Sequence, residues 1–356
     1  RLRRAQSSRT LRSHGKGRSD WCFQLHGKIP HEAAARRRPF GGEPVSSAEA
    51  PRAETPQSGC WLQAVVQRVE MKVCVEADLA RVDARPLNFG DERGLANALE
   101  GCEVLWCTYW IRFALGGDSH DAAAARCATL FELARKAGVQ RVVFTSHTHA
   151  SADSPFAYIA GKAKATSALR TCGLPSYAIA RPCGIFGDTP HESILMNNAA
   201  WVLRRSPLFM LAGDGSHRFQ PIHVRDMASL LYDLGSPGAV DKGPSQELDA
   251  CGPDAPTAAE LFTHIGRSVG SRAWVASPGF LPTRLITLMT KPIDLITGDV
   301  LLDRDDLDLL CSGLTVAERP DDPAIARRRS LLDWLEEVGP TLGKEYISSI
   351  ERYYRH

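Results

Sequence analysis

Two residues with acid–base potential lie one helical turn apart in the run SPFAYIAGKAKATSAL at residues 154–169. Tyr158 and Lys162 are four positions apart, so they share one face of a helix. Tyrosine, with a pKa of roughly 10, is a poor base at neutral pH, and a nearby ammonium group favours the phenolate and lowers that pKa. The pair therefore has the residue types for proton transfer. The same spacing also fits a tyrosine packed on a strand edge and a solvated lysine, so the surrounding elements must decide between the two interpretations.

Strands and helices alternate around this pair. The runs CEVLWCTYW and QRVVFTS are apolar without alternation, which is typical of strands in a parallel sheet covered on both faces. Helical spacing predicts helices in ERGLANALEG, which Asp91 caps, in SHDAAAARCATLFELARKAG, and over residues 155–172. This alternation predicts an α/β fold with a doubly wound parallel sheet and right-handed crossovers.

The predicted sheet strands lie near residues 103–108, 141–146, 176–181 and 208–211, and RPLNFGD is a further short strand. After Gly252 the pattern turns mainly helical, in TAAELFTHIGRSVG, AIARRRSLLDWLEEVG and LGKEYISSIERYY. We therefore expect a basic leader over residues 1–60, a sheet domain over 61–252 and a small, mostly helical C-terminal cap over 253–356.

The positive charge is concentrated in the leader. The 356 residues carry a formal net charge of +2, but residues 1–38 hold eleven basic and two acidic residues, so their +9 leaves −7 for the rest. The mildly acidic body argues against a nucleic-acid surface. The Arg- and Ser-rich leader fits an organelle transit peptide, a disordered tail or translated non-coding sequence.

The cysteines show no metal-binding or disulfide pattern. Ten of them are scattered without C-x-x-C or paired Cys/His spacing, which argues against a zinc site and indicates reduced thiols in an intracellular compartment. No run approaches the roughly 18 apolar residues needed to cross a bilayer. We therefore expect an intracellular, soluble protein without a metal and without a transmembrane segment, with a mitochondrial or plastid location left open by the leader.

The strand order brings three polar side chains to one crevice. Ligands of a doubly wound sheet bind at the carboxyl ends of its strands. Ser146 stands at the carboxyl end of QRVVFTS, Tyr158 follows twelve residues later at the start of the next helix, and Lys162 lies one turn deeper. The sequence therefore predicts that these three residues converge.

Several motifs in order make residues from about 85 to 252 resemble the short-chain dehydrogenase/reductase superfamily. They are NFGD followed by a helix, GVQRVVFTS, YIAGK, RPCGIFG, and GDG followed by FQPIHVRDMA, which resembles a His-Val-x-Asp-x-Ala signature. The resemblance is to the extended and atypical branch, with its NAD-dependent epimerase/dehydratase-like, NmrA-like and complex I accessory-subunit-like proteins. It implies a Rossmann-like sheet and NAD or NADP as cofactor.

The resemblance also implies roles for individual residues. Tyr158 would be the acid/base, Lys162 its electrostatic partner and a ligand of the nicotinamide ribose, and Ser146 the group that orients the substrate oxygen. The implied cofactor contacts are Asp91, Thr108, Lys162, Pro182 and Gly187, and the implied substrate contacts are Tyr109, Trp110, Asn197 and Asn198. Gly187 also fits a simple turn, and the aromatic and amide residues also fit buried faces. His223 and Asp226 match the signature, with helix capping and packing as their expected roles.

One feature of the superfamily is missing from its expected place. The pattern Gly-x-x-Gly-x-x-Gly, whose backbone approaches the cofactor pyrophosphate at a helix N-terminus, should fall within residues 29–83 and does not. The chain also begins at Arg1 rather than Met. We therefore expect that the first β-α-β unit is lost, degenerate or replaced by a wrong exon, and that nucleotide binding is impaired.

Two functions of different classes follow. The first is an NAD(P)-dependent oxidoreductase or epimerase-like enzyme acting on a small substrate through Tyr158 and Lys162. The alternative is a non-catalytic cofactor-sensing or scaffold subunit, such as an accessory protein of a respiratory complex. YIAGK favours the enzyme, whereas the missing glycine-rich turn favours the subunit. The expected partners are accordingly a small molecule or a protein complex, with no nucleic acid.

Limited proteolysis tests the prediction that the leader lacks tertiary contacts. A chain segment this rich in Arg, Ser, Pro and Gly buries too little apolar surface to offset its conformational entropy. We expect a protease with broad specificity to remove residues 1–58 and to leave a resistant core, identified by mass spectrometry. Equal resistance of leader and body would contradict this domain division.

Overall fold

The computed structural model describes residues 22–23, 85, 87–112, 114, 117–236, 243–279, 282–297, 299, 304–319 and 323–349. The strands are β1 (Cys22–Phe23), β2 (Val104–Cys107), β3 (Arg141–Thr145), β4 (Ser176–Arg181), β5 (Ile185–Phe186), β6 (Leu208–Met210), β7 (Ile222–His223), β8 (Gln246–Asp249) and β9 (Trp274–Ala276). The α-helices are α1 (Glu92–Leu99), α2 (His120–Lys136), α3 (Ala157–Thr171), α4 (Ile194–Leu203), α5 (Val224–Leu234), α6 (Ala258–Ser268), α7 (Thr283–Thr297), α8 (Arg304–Cys311) and α9 (Leu331–Val338).

A parallel sheet in the order β1-β2-β3-β4-β8 organises the described chain. Successive side chains of a strand point to opposite faces. Leu105 and Cys107 of β2 accordingly pack in the apolar cluster formed with α1, α2 and α3. Val104 and Trp106 pack in a second cluster with α5 on the other face. Both faces are covered, which confirms the predicted Rossmann-like α/β class.

Side-chain caps set the starts of several helices. The Asp91 carboxylate accepts a hydrogen bond from the Gly94 amide (2.8 Å), as expected from its position before α1. The Ser119 hydroxyl does the same for the Ala122 amide at the start of α2 (3.1 Å). These oxygens satisfy amides that have no partner inside the helix. They fix where the helices enter the layer on one face of the sheet.

The predicted strand near residues 208–211 forms, but it does not lie in the main sheet. Leu208–Met210 pairs with Trp274–Ala276 in a separate two-stranded sheet. Leu208 is exposed, so the run lacks the full burial of a central strand. The place beside β4 is taken by β8, whose polar sequence QELD gave no strand signal. RPLNFGD contributes a single bridge residue, Leu87, instead of a strand.

The predicted helix in LGKEYISSIERYY does not form over residues 342–348; Ser349 is helical, and the residues after it lie outside the described residues. Residues 343–348 contain no helix, because side chains of α4 take up their backbone groups. The Gly343 amide donates to Asn197 Oδ1 (2.8 Å), and the Ile347 amide donates to Asn198 Oδ1 (3.1 Å). An apolar cluster of α4, α6 and α9 holds the rest of the C-terminal part against the middle of the chain.

The leader contributes two described residues to the sheet. Cys22 and Phe23 pair in parallel with Leu105 and Trp106 of β2. This pairing contradicts the expected lack of tertiary contacts at these two residues. The other residues of the expected leader lie outside the described residues, so disorder there stays a prediction. The free thiols are Cys102, Cys107, Cys127, Cys172, Cys183, Cys251 and Cys311. No helix among the described residues has the length and hydrophobicity to cross a membrane.

The packing of α5 on the sheet predicts a stability difference between two glycine substitutions. A Cβ atom at Gly235, directly after α5, would lie 2.3 Å from the ring of Trp106. That ring is held by a hydrogen bond from its Nε1 to the Leu231 carbonyl oxygen (2.7 Å). Gly235→Ala should therefore lower the free energy of unfolding by about 1–3 kcal/mol, as overpacking does.

Gly266→Ala is the matched control, measured in the same urea denaturation experiment. A Cβ atom there meets only Leu203 Cδ2, at 3.8 Å, and alanine favours the interior of α6. We expect this variant to be neutral or slightly stabilised. Equal effects of the two substitutions would show that α5 does not pack on the Trp106 ring as described.

Candidate functional site

A cavity of about 790 Å³ opens at the carboxyl ends of β2, β3 and β4. Thr108 follows β2, Ser146 and His147 follow β3, and Pro182 follows β4 at this edge. Helices α4, α6, α7 and α8 complete the wall on the other side. The site thus lies where a doubly wound sheet places its ligands.

Lys162 lies in the wall with its charged group almost fully buried. Its Nζ donates to the Thr145 carbonyl oxygen at the end of β3 (2.6 Å). It also lies 4.3 Å from the ring centre of Trp110 and 5.2 Å from that of Phe144, which are favourable cation–π distances. Burial disfavours the ammonium form and lowers the pKa of Lys162 to about 8, against the opposing effect of the Cys127 and Cys107 thiols.

Ser146 is fixed between the sheet and α3. Its hydroxyl shares a hydrogen bond with the Thr166 hydroxyl (2.7 Å), and its amide donates to the Ala180 carbonyl oxygen of β4 (2.8 Å). The residue is 2% exposed, so little rotational freedom is left to it. A hydroxyl held in this way is suited to orienting a ligand oxygen.

Tyr158 lies at the start of α3, half-buried in a ring of aromatic side chains. Its ring centre is 5.9 Å from Trp110, 5.4 Å from His120 and 5.7 Å from His147, each in an edge-on arrangement. Such edge contacts are the favoured geometry for aromatic pairs. Tyr158, Lys162 and Ser146 all line the one cavity, so the structure brings the three predicted catalytic residues together.

His147 is a further residue of this wall, one that the sequence analysis missed. Its Nδ1 bonds the Thr148 carbonyl oxygen, which requires the ring proton on Nδ1 and leaves Nε2 as an acceptor. Burial lowers the pKa of His147 to about 4, so the ring is neutral at physiological pH. Its position directly after Ser146, at the carboxyl end of a strand, was the available signal.

The predicted cofactor contacts divide into two groups. Thr108 and Pro182 line the cavity, together with Lys162. Asp91 caps α1, and Gly187 donates its amide to the Ser193 hydroxyl (2.9 Å); neither lies in the wall. A Cβ atom at Gly187 would be 2.6 Å from Glu192, so the glycine there is explained by packing.

The predicted substrate contacts divide in the same way. Trp110 and Asn198 line the cavity. Tyr109 is 1% exposed, and its hydroxyl accepts from Arg126 (3.0 Å), because neighbouring residues of an extended segment point to opposite sides. Asn197 instead holds the C-terminal segment through the Gly343 amide and the Glu345 carbonyl oxygen.

His223 and Asp226 have structural partners outside the cavity wall. His223 Nδ1 accepts from the Arg225 amide at the start of α5 (3.1 Å), and Nε2 faces Asp188 (2.9 Å). The Asp226 carboxylate accepts from the Arg329 amide (2.7 Å). These contacts fit the capping and packing roles expected for both. No group of three or more potential metal ligands occurs among the residues that the structure describes.

Two hydroxyl groups test whether this edge fits a dinucleotide. Thr108 Oγ1 and Thr145 Oγ1 are buried, and neither has a hydrogen-bond partner among the described residues. Buried polar atoms are nearly always bonded, so both positions accommodate a polar ligand group. Together with Lys162, they fit the nicotinamide and ribose end of NAD(P). Residues 29–83, where the pyrophosphate-binding turn was expected, lie outside the described residues.

Comparison with known proteins supports a nucleotide-binding domain. Residues 62–200 match a family described as NAD(P)H-binding. The chain is 30% identical over 165 residues to the mitochondrial NADH dehydrogenase [ubiquinone] 1 alpha subcomplex subunit 9 of Arabidopsis thaliana; the match covers 46% of this chain and 38% of that protein. The chain thus spans well under two thirds of this relative.

Solved structures share the fold at low sequence identity. An NADPH-dependent quinone oxidoreductase of Escherichia coli with bound NADPH has a TM-score of 0.57 at 19% identity, covering 74% of this chain and 86% of that one. The triphenylmethane reductase of Citrobacter with NADP(H) has a TM-score of 0.55 at 13% identity, covering 75% of this chain and 87% of that one. A nucleoside-diphosphate-sugar epimerase of Staphylococcus aureus has a TM-score of 0.54 at 16% identity, covering 73% of this chain and 86% of that one. These structures share the predicted fold, and the NAD(P)H-binding family match over residues 62–200 supports the predicted resemblance and NAD or NADP as the cofactor.

The lowered pKa of Lys162 predicts a pH-dependent stability difference. The pKa is about 8 in the folded protein and 10.5 for an ordinary lysine, so between these values the unfolded chain binds more protons. Stability should therefore rise with pH in this window. We expect the free energy of unfolding of the native protein, minus that of Lys162→Met, to grow by on the order of 3 kcal/mol from pH 7 to 10.5.

The same substitution at Lys164 controls for general alkaline effects, because that side chain is half exposed on the same helix. Urea titrations at several pH values give the free energies of unfolding. If the Lys162 and Lys164 variants show the same pH dependence, the amine of Lys162 is not buried as described.

Proposed function

We propose that this extended short-chain dehydrogenase/reductase-like protein, with its NAD(P)H-binding domain, is an oxidoreductase that acts on a small carbonyl or hydroxyl compound. The observation that carries the proposal is the meeting of Tyr158, Ser146 and Lys162 in one cavity at the carboxyl edge of the sheet. Nicotinamide chemistry supplies a hydride, and a reacting oxygen then needs a proton partner. Tyr158 is the residue we assign to that role.

Each residue of the site has a task in this proposal. Tyr158 gives a proton to the reacting oxygen during reduction and removes it during oxidation. Lys162, charged for the most part at neutral pH because its pKa is about 8, favours the phenolate form of that tyrosine. Ser146, held by Thr166, orients the same oxygen. The aromatic ring of Trp110 covers Lys162 and limits the access of water to it.

We also propose that the chain after the leader consists of two parts. Residues 61–252 form the NAD(P)-binding domain and residues 253–356 a mainly helical region that closes the cavity. The support is the arrangement of the wall, whose sheet-edge residues come from the first part and whose Ile286 and Leu310 come from the second.

A non-catalytic role in a protein complex is the second candidate. It is favoured by the sequence relationship to a subunit of mitochondrial NADH dehydrogenase and by the absence of the glycine-rich pattern from residues 29–83. In that role the bound nucleotide stabilises the fold, and the protein is located in the mitochondrion. The two candidates differ in whether a bound hydride donor is turned over.

Replacement of one hydroxyl distinguishes the candidates. Tyr158→Phe removes the proton donor and leaves the ring contacts, so the rate of NADPH or NADH oxidation with a carbonyl substrate should fall by roughly 10²–10⁴-fold. Nucleotide affinity, measured by fluorescence titration, should stay unchanged. Lys162→Ala should reduce both the oxidation rate and the nucleotide affinity, because one ammonium group serves the tyrosine and the cofactor.

Tyr232→Phe is the control for loss of a hydroxyl elsewhere, since Tyr232 is 55% exposed on α5. Its rate should equal that of the native protein. Nucleotide binding without turnover of any carbonyl compound by the native protein would reject the oxidoreductase and leave the complex subunit. The oxidoreductase proposal would also be rejected if no nucleotide bound, even to a protein in which a glycine-rich turn had been restored.

A further inference from the structure

The cavity has two chemically different ends. Its polar end, at the sheet edge, is formed by Thr108, Thr145, Ser146, His147, Tyr158 and Lys162. The wall contributed by α4, β6, α6, α7 and α8 is mostly apolar, with Asn198, Thr290 and Asp306 as its polar members. Its members include Val202, Phe209, Leu261, Phe262, Ile286 and Leu310. A ligand that fills this volume therefore meets hydrogen-bonding groups at one end and hydrocarbon along the other.

The charged groups of the described wall already have partners. The lysines and arginines among these wall residues are Lys162, bonded to the Thr145 carbonyl oxygen, and Arg112, which forms an ion pair with Asp306 (3.3 Å). Glu192 accepts from the Thr189 amide and closes its own 3₁₀ turn. A second diphosphate, beside that of the cofactor, would require Arg or Lys side chains to match its charge.

We propose that the cavity takes an uncharged, apolar compound whose single carbonyl or hydroxyl oxygen lies at the polar end and whose hydrocarbon tail lies along the apolar wall. This ligand class, and not a nucleotide sugar, matches the distribution of polar and charged groups. The inference rests on the proposed function for the placement of the reacting oxygen. The inferred binding of the hydrocarbon tail depends only on the apolar side chains of the cavity wall.

The size of the cavity agrees with this ligand class. Small-molecule sites usually enclose roughly 300–1,000 Å³ and are mostly apolar with a few placed polar groups. The volume here is about 790 Å³. The stacked rings of Phe209 and Phe262, 5.0 Å apart, support the wall at its far end. A nicotinamide at the polar end leaves this far end for the tail.

A chain-length series of 2-alkanones tests the inference. Binding is measured by displacement of the uncharged dye Nile red from the full chain, without cofactor, for 2-heptanone through 2-tridecanone. Because each buried CH2 group contributes a similar free energy, affinity should rise about two- to fourfold per added CH2. UDP-glucose should not displace the dye.

Two variants locate the binding. Val202→Trp places a large side chain in the lumen from α4, where Val202 lines the wall, and should weaken 2-tridecanone binding at least tenfold. Leu288→Trp adds the same side chain at a position of α7 that is 64% exposed and outside the wall, and should leave binding unchanged. Circular dichroism and thermal unfolding establish that both variants are folded.

The outcomes separate this inference from the proposed function. Affinity that is independent of chain length, displacement by UDP-glucose, or equal effects of the two tryptophan variants would overturn the inference. Length-dependent binding that Val202→Trp abolishes, without oxidation of NADPH or NADH, would overturn the proposed function and leave the assigned ligand class standing. If Val202→Trp does not fold, Val202→Phe replaces it in the same comparison.

Discussion

The burial of one ammonium group, that of Lys162, is the constraint that shapes the centre of this protein. A buried charge is tolerated only when hydrogen bonds and nearby electron density replace water. The Thr145 carbonyl oxygen and the Trp110 ring provide these, so the end of β3, the segment after β2 and the start of α3 must stay in fixed positions. Gly161 makes this possible, because a Cβ atom there would lie 3.0 Å from the backbone of His120 and would push α3 away from α2.

The cavity follows from the same arrangement, closed by elements that are distant in sequence. The amides Asn197 and Asn198 bond backbone groups of residues 343–347, and so attach the C-terminal segment to α4. Arg181 of β4 forms ion pairs with the buried Asp249 (2.8 Å) and with the partly exposed Glu318 (2.8 Å), which lies in the segment after α8. The bonds of Asn197 and Asn198 join residues that are more than one hundred positions apart in the sequence. They hold the apolar wall against the sheet edge, and the polar and apolar ends thereby become one site.

Local sequence signals determined the central sheet and the three polar residues, whereas tertiary contacts determined the rest. QRVVFTS and the YIAGK helix are fully specified by burial pattern and spacing. QELD gave no strand signal, because an edge strand with polar side chains is specified by its neighbour β4. Trp110 lines the cavity and Tyr109 does not, because neighbouring residues of an extended segment point to opposite sides. A shift of one residue in the prediction reverses this assignment. The non-helical path of residues 343–348 depends on Asn197 and Asn198, far away in sequence.

The stability of the fold alone does not explain why a lysine occupies position 162. Its lowered pKa means that burial disfavours its charge, and an apolar side chain of similar size would avoid that penalty while keeping contact with the Trp110 and Phe144 rings. Strongly perturbed groups in clefts are concentrated at functional sites. A purely structural role would gain stability by losing this charge. Lys162 and the two unsatisfied hydroxyls of Thr108 and Thr145 line the same cavity, and together they mark this edge of the sheet as the candidate site.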